Sequence, residues 1–467
     1  MMEQCVVRLS SLKLCHIKNV VNGQIVMPNT LHKQLSYNNA EILGLYGQNG
    51  SGKTAIIDGL YFLQRIMNGE SIEEELKDYI DANKKNASIW ADFNVFFEKT
   101  VYEVSYKIEF EKTEKCVEIV RETLSSAKNT LNARTNKTIF MDYKRDDKDS
   151  IFTPKKRLDD LLALNKDNKV DLIVARKLAE KSNCSYIFGE NSRDIFFLEN
   201  EQNESWEYSR IIKALFEFSF KDLFVIRNDH SGCISSNFVL PMAFRYENSD
   251  FGIKGDIVIP LTEPTILSFE NKKILDAVID QINIVLPTII PDMKIGVNDY
   301  GEQLRDDGEK GQKIELTSLR RGVPAIPIRM ESEGIIKIIS ILHALIHAFG
   351  NPSICLAIDE LDAGIFEYML GELLDIFAKS AKGQLIFTSH NLRALEMLDK
   401  DNIMFSTANP EKRYIHMKNI RRGYNNLRDV YIRGITLGGQ DEDIYEETDS
   451  LKIARAFRKA GRSITNV

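Results

Sequence analysis

Gly47-Gln48-Asn49-Gly50-Ser51-Gly52-Lys53-Thr54 decides how this chain reads. The octapeptide satisfies the spacing G-x-x-x-x-G-K-[ST], and its flanks supply the context such a loop requires. Ile42 to Tyr46 before it is a short apolar run, read as a strand. Ile56, Ile57, Leu60, Leu63 and Met67 after it recur at helical spacing. A strand–loop–helix turn of this kind cradles phosphate oxygens. Its glycines let successive N–H groups curl inward, and the helix N-terminus adds partial positive charge. Lys53 is placed to reach the β- and γ-phosphates of ATP, and the Thr54 hydroxyl to bind Mg²⁺. Gly47, Gln48, Asn49, Gly50, Ser51 and Gly52 form the rest of the cradle.

Two later strands end in groups that complete such a site. Ile354 to Ile358 is an apolar run closed by Asp359-Glu360. Carboxylates at the carboxyl end of a central parallel strand stand where α/β sheets bind ligands. Asp359 there can hold Mg²⁺, and Glu360 can deprotonate an attacking water. Leu385 to Thr388 is the next strand, followed by Ser389-His390, and His390 is placed to hydrogen-bond a γ-phosphate. Upstream, Ser332-Glu333-Gly334 opens a helix with Ile335, Ile338, Ile339, Leu342, Leu345 and Ile346 along one stripe. Ser332 reads as its cap, and the helix N-terminus as a phosphate ligand on a second subunit.

The ordered set Gly47–Thr54, Ser332–Gly334, Ile354–Glu360 and Thr388–His390 resembles the ABC-type ATPases, in the branch that holds the SMC-, RecF- and OLD-like proteins. The resemblance covers residues 1–65 and about 310–410. It implies a head-to-tail homodimer or higher oligomer, with two ATP molecules sandwiched between phosphate loops and opposing helix ends. It also implies Glu360 as general base, His390 as switch histidine, and Ser332 and Gly334 as nucleotide-binding residues acting across the dimer. Three departures stand out. Ser-Glu-Gly replaces the usual Leu-Ser-Gly-Gly-Gln. No Q-loop glutamine follows the first helix, Gln202 being a distant candidate. Leu361-Asp362-Ala363-Gly364 is a shortened D-loop. Residues 359–372, 384–391 and 402–460 also resemble the ATPases of bacterial anti-phage and abortive-infection operons, such as the ATPase partners in AbiL-, PARIS- and Septu-type systems.

Bulk properties bound the rest. The chain has 467 residues, 43% hydrophobic and 28% charged, with net charge −7. That is enough for a large core and two lobes, and it argues against general coating of nucleic acid. No apolar run approaches the length of a membrane span, and the N-terminus lacks a signal-peptide pattern, so no membrane partner is expected. Six cysteines without a C-x-x-C pair suggest a reducing cytoplasm.

Coarse patterning predicts the elements. Val6–Ile17 and Gln24–Met27 read as a hairpin turning at Asn22-Gly23, and Ser71–Ala82 as a short acidic helix capped by Ser71. Residues 88–97, 101–110 and 116–122 read as an antiparallel meander. Helices are expected near 157–164, 169–182, 206–218, 271–286, 333–349 and 366–380, and strands at 353–358, 384–388 and 402–406. The patterning gives an α/β fold class with a mostly parallel sheet, an antiparallel β subdomain and an inserted helical lobe, and the resemblance implies that this is an ABC-type head. The expected division is 1–122 for the first part of the head, 123–235 for the lobe, 236–440 for the second part of the head and 441–467 for a tail helix.

Three other signals carry less. His343 and His347 share a helix face but have no intervening glutamate pattern and no third ligand, so they read as core histidines rather than a metal pair. Asp441-Glu442-Asp443 with Glu446 and Glu447 reads as a solvated acidic segment. Residues 411–433 hold seven Lys or Arg against two acidic residues, a net of +5, with Tyr414, Tyr424 and Tyr431 interleaved. That segment suits a nucleic-acid backbone, an acidic partner, or the chain's own 441–449. The expected function is a Mg-ATP-binding and hydrolysing switch ATPase. On this reading it is the sensor or regulatory subunit of a bacterial anti-phage system, working with an effector nuclease or toxin in trans. The alternative is a RecF-like DNA-repair or DNA-maintenance ATPase that binds DNA itself. A third reading is an ATP-gated scaffold with negligible turnover.

Overall fold

The computed structural model describes residues 5–464 apart from 73–74, 99, 115, 131–132, 148, 165–167, 198–205, 229–238, 248–251, 419–425 and 447. Strands β1 (Cys5–Ile17) and β2 (Val20–Val26) form an antiparallel hairpin. Its turn is Lys18-Asn19, not Asn22-Gly23: Ile17 pairs with Val20, and Lys18 adopts a left-handed φ of 50°. Gly23 lies inside β2, where a Cβ would come within 2.6 Å of the Tyr414 ring. The short α1 (Pro28–Leu31) leads to β3 (Glu41–Tyr46), the phosphate loop and α2 (Lys53–Met67). The acidic helix expected over 71–82 contracts to one turn, α3 (Leu76–Tyr79). Ser71 does not cap it but donates to the Ser182 carbonyl at 2.7 Å.

The meander forms as expected from β4 (Asn86–Phe97), β5 (Thr100–Lys112) and β6 (Val117–Thr130), and β7 (Ala133–Arg134) and β8 (Thr138–Lys144) both pair with β6. With the first hairpin they make a seven-stranded antiparallel sheet, β2-β1-β4-β5-β6-β7 with β8 beside β6. Alternation drives it: Ala87, Ile89, Ala91, Phe93 and Val95 of β4 are buried, and the residues between them less so. β6 runs straight through 122–123, where the sequence divides head from lobe. Wholly buried Glu122 accepts from Tyr106 Oη (2.5 Å), Ser185 Oγ (2.6 Å) and the Tyr186 N–H (2.7 Å), tying the sheet to the inserted helical segment. Helices α4 (Lys155–Leu164), α5 (Asn168–Ser182), α6 (Glu190–Phe196) and α7 (Trp206–Glu217) form the inserted segment, in which Leu172 of α5, Tyr186 and Phe188 of the α5–α6 link, and Ile211 of α7 join one core with this sheet and α2. The inserted helices thus cover the sheet rather than standing apart from it.

β9 (Leu223–Ile226) then returns the chain to the other sheet. A hairpin of β10 (Val239–Glu247) and β11 (Gly252–Pro260) comes next. Strand β12 (Thr265–Leu267), helix α8 (Phe269–Ile289), and strands β13 (Met293–Leu304), β14 (Lys310–Arg320) and β15 (Val323–Pro327) build a small antiparallel sheet flanked by α8. The chain closes with α9 (Glu333–Gly350), β16 (Cys355–Ile358), α10 (Glu367–Ser380), β17 (Gln384–Thr388), α11 (Ala394–Met397), β18 (Ile403–Ser406), β19 (Tyr414–Ile415), α12 (Leu427–Leu437) and α13 (Ser450–Ile464).

The second sheet has the order β19-β18-β3-β17-β16-β9, and every pair in it is parallel except β18 with β19. β3, β16 and β17 are buried along their whole length, as a parallel sheet covered on both faces demands. α2 belongs to the core on one face, and α8, α9 and α10 to the core on the other. By length and composition α9 would suit a membrane, with a mean hydropathy of 1.4, contrary to the expectation that no run approaches a span. Most of it is nonetheless buried in this second core. Arg8 locks the two sheets together: its buried guanidinium donates to buried Glu41 (2.8 Å) and to the Pro352 and Lys382 carbonyls.

Candidate nucleotide-binding site

The phosphate loop bends between β3 and α2 at positions that only glycine takes without strain. Gly47 has φ +152°, and a Cβ there would meet Ser406 Oγ at 1.9 Å. Gly52 has φ +91° and caps α2. The loop is held by partners remote in sequence. Asn19, from the first hairpin turn, donates to the Gly50 carbonyl, and Tyr414 Oη to the Gly52 carbonyl at 2.5 Å. Ser51 hydrogen-bonds Ser406. The Gln48 side chain clasps the backbone of Glu446 at both its N–H (2.9 Å) and its carbonyl (3.4 Å).

Lys53 is 7% exposed and donates to the Gly47 and Gln48 carbonyls at 2.9 and 3.0 Å. Burial holds its ammonium below the usual lysine range, against the opposing pull of Asp359, Glu360 and Asp362. Across the cavity β16 delivers Asp359, which is buried. Its Oδ1 accepts from Thr388 Oγ1 at 2.5 Å and from Thr54 Oγ1 at 3.3 Å. Its Oδ2 is buried and has no hydrogen-bond partner among the described residues. Glu360 sits in the left-handed region, φ 48°, uncommon for a residue with a side chain. Its N–H donates to Thr388 Oγ1 at 2.7 Å, and its carbonyl accepts from the buried Lys337 ammonium of α9. His390 is exposed at the end of β17, its backbone N–H donating to Asp362 at 3.0 Å. Partial desolvation by the cavity wall, and then the Lys53 charge, push the His390 imidazole below the ordinary histidine range.

These groups face a cavity of about 390 Å³ whose lining includes Lys18, Asn49, Lys53, Thr54, Glu360 and His390. The orphaned Asp359 oxygen beside the Thr54 hydroxyl fits Mg²⁺, which takes one or two protein oxygens and completes its shell with phosphate and water.

A family model described as "AAA domain, putative AbiEii toxin, Type IV TA system" matches residues 42–396, well over half of the chain. The chain belongs to this AAA-domain family. As an AAA-domain protein it is a nucleotide-binding ATPase of mixed α/β fold. No curated protein matches it. Among solved structures it is similar to the Smc head domain of Pyrococcus yayanosii with a coiled coil and joint (13% identity, 92% of this chain and 99% of that, TM-score 0.40). It is also similar to a Pyrococcus furiosus Smc head bound to the C-terminal domain of ScpA (12%, 88% and 96%, TM-score 0.38), and to the Thermotoga maritima SMC head (13%, 88% and 100%, TM-score 0.34). At these scores the likeness adds nothing to what the strand order and the site state for themselves.

The AAA domain thus brings Asn49, Gly50, Gly52, Lys53, Thr54, Glu360 and His390 to one cavity, with Asp359 buried behind its wall and hydrogen-bonded to the lining residues Thr54 and Thr388. Ser332 and Gly334 do not line it. Ser332 is exposed at the head of α9, and its hydroxyl makes no cap hydrogen bond; only its carbonyl closes the first turn, accepting from Ile335 (3.0 Å) and Ile336 (3.1 Å). The space beside Gly334 belongs to the chain's own D-loop, since a Cβ there would meet the Gly364 carbonyl at 1.9 Å. Gln202 lies outside the described residues.

Sequence reasoning missed Lys18, Asn19 and Lys337, and it named Thr388 and Tyr414 without their roles, the one bridging Asp359 and Glu360 and the other holding the Gly52 carbonyl. The signal available for Lys337 was a cation inside an otherwise apolar stripe. The 411–433 segment is largely engaged at home. Lys412 pairs with Glu442 at 3.1 Å, Lys418 with Asp441, and Arg428 with Glu396 at 2.9 Å, while Arg413 is buried beneath the phosphate loop. Arg421, Arg422 and Tyr424 lie outside the described residues. The His343 and His347 rings meet edge-on at 4.6 Å, and no group of three or more metal-binding side chains occurs among the described residues.

Proposed function

We propose that this AAA-domain protein is a Mg-ATP-driven switch ATPase of the ABC type, closing head to tail around two nucleotides. The observation that carries this reading is the buried Asp359 carboxylate. One of its oxygens is shared by Thr54 and Thr388 and the other is unpartnered, and it sits beside a Glu360 held in a strained conformation. Thr54 and Asp359 would hold Mg²⁺, which supplies charge neutralisation on the phosphates. Lys53 and the loop amides bind the phosphate oxygens. Glu360 takes a proton from the attacking water, and Thr388, bridging the Asp359 carboxylate and the Glu360 N–H, fixes the geometry between them. His390, kept neutral, donates or accepts one hydrogen bond at the far phosphate.

The family description names a toxin of a type IV toxin–antitoxin system. It supports membership of a two-component toxin–antitoxin or abortive-infection pair; the role assigned to this chain within it is that of the regulatory subunit, because its site holds ATPase groups, with the damaging chemistry in a nuclease or toxin subunit in trans. The test is Glu360→Gln. The amide keeps the shape and removes the base, so ATP affinity by calorimetry should hold while turnover falls by about 10²–10⁴. Hydrolysis at the wild-type rate would remove Glu360 from that role. Stimulation of turnover by duplex DNA alone, with no partner subunit, would favour the RecF-like alternative.

A further inference from the structure

One helix of the chain and one groove of its body have complementary surfaces. In α13, Ile453, Ala454 and Phe457 fall along one side, with Lys452, Arg455 and Lys459 on another and Arg458 beside Leu451 at the seam between them. The apolar side is bare: Ile453 is 45% exposed and Phe457 75%. A 15-residue helix is marginal in water unless its apolar side finds a surface.

The groove, of about 340 Å³, lies between the carboxyl halves of α8 and α9 and the length of α10. Val285, Ile341, Leu345, Phe349, Leu374 and Phe377 line it, and Thr288 is the sole polar side chain in its wall. At its mouth Ile376 is 53% exposed and Phe349 is also exposed, an apolar strip that a monomer has no reason to show.

Charge identifies the occupant. Residues 450–464 carry five basic and no acidic side chains, so of the net −7 the rest of the chain holds −7 − 5 = −12. α10, one wall of the groove, adds Glu367, Glu372 and Asp375 against Lys379. A body of this sign attracts α13 and repels an anionic membrane or nucleic acid. The helix is not held in its own groove. The segment before it is fixed on its own body, by buried Ile444 against Gly434 of α12 and by the Gln48 clasp on Glu446 at the phosphate loop, and from there the helix projects into solvent.

We propose that α13 docks its Ile453–Ala454–Phe457 side into the α8–α9–α10 groove of a second copy of this chain. Reciprocal docking makes a two-fold homodimer that needs no nucleotide.

The experiment places photo-reactive benzoylphenylalanine at position 457 of the full chain and mixes light and heavy-nitrogen preparations without ATP. The expected result is mixed-isotope adducts on peptides spanning 341–349 and 370–377. Ile376→Glu, at an exposed site, should lower their yield by about tenfold while circular dichroism stays unchanged. Wild type should sediment as a dimer, and Phe457→Asp as a monomer. Four results would overturn the proposal: adducts confined to one chain, adducts indifferent to Ile376→Glu, adducts formed only on added phosphatidylserine vesicles or duplex DNA, or a wild-type monomer.

Discussion

His343 is the residue whose chemistry the site does not use, and it sets a limit on the fold's acid tolerance. It is 1% exposed within α9, and burial, reinforced by His347 at 4.6 Å, lowers its pKa from 6.5 to about 4. The unfolded chain therefore binds a proton that the native chain refuses. Stability is complete above about pH 6.5 and is lost as pH falls toward 4, by on the order of 3 kcal/mol at the bottom of that window. Replacing His343 with Leu should flatten the pH dependence of the urea midpoint between those values; an unchanged slope would show that other groups carry it. The sequence already places both histidines in the core, because a helical stripe of isoleucines and leucines leaves them nowhere else. It also exposes the phosphate loop, where eight consecutive residues hold the chemistry. The roles of Lys337 and Thr388 escape such reading: their partners Glu360 and Asp359 lie 23 and 29 residues away in sequence, and only the packing of α9 and β17 on β16 brings them together.

At the scale of elements, local rules fail where a distant surface outbids them. Asn22-Gly23 is a strong hairpin signal, yet Gly23 serves to admit the Tyr414 ring and the turn moves to Lys18-Asn19, which then reaches the phosphate loop. Ser71 has the makings of a cap but is drawn to the Ser182 carbonyl of the inserted helices. The start of α9 is a third case. Gly334 reads as room for a ligand, but its space is filled by Gly364, itself at φ +74°, so helix and D-loop are pressed backbone to backbone. The contact steadies the loop that begins with strained Glu360. Gly334→Ala would drive a methyl into a carbonyl that cannot rotate away. It should cost about 1–3 kcal/mol in chemical denaturation and lower ATP turnover more than ATP binding. A variant of wild-type stability and rate would mean that the loop yields without consequence.

At the scale of the molecule, the parallel sheet was legible because β3, β16 and β17 are short apolar runs separated by helical spacing, an alternation with few solutions. The boundary at 122–123 was not, since nothing in the residues of β6 announces that the helices after it will share its core. The same scale holds the question of how two heads meet. Ser332 stands exposed, its hydroxyl unused by its own helix, while the rest of α9 is anchored by Ile336, Ile338, Ile339 and Ile341 in the second core. A helix end so fixed and so turned outward offers its first N–H groups and partial positive charge to something outside the chain. In the head-to-tail dimer proposed above, an opposing γ-phosphate would satisfy both, and a two-fold axis would give each head one such end for the other's nucleotide. Ser332→Arg and Lys53→Ala should therefore each abolish turnover alone. In a mixed dimer, however, both lesions fall on one composite site, pairing the altered phosphate loop of one chain with the altered helix end of the other, and the second site is intact. Mixing the two inactive proteins should restore up to about half of wild-type turnover in that heterodimer, since one of two sites survives. Subunit exchange can be followed separately by energy transfer between labelled chains. Complete exchange with no recovered hydrolysis would place Ser332 outside the partner's site, or make the two sites fire only together, and the Glu360→Gln variant mixed with wild type separates these: a half-active mixture admits independent firing and leaves Ser332 acting elsewhere.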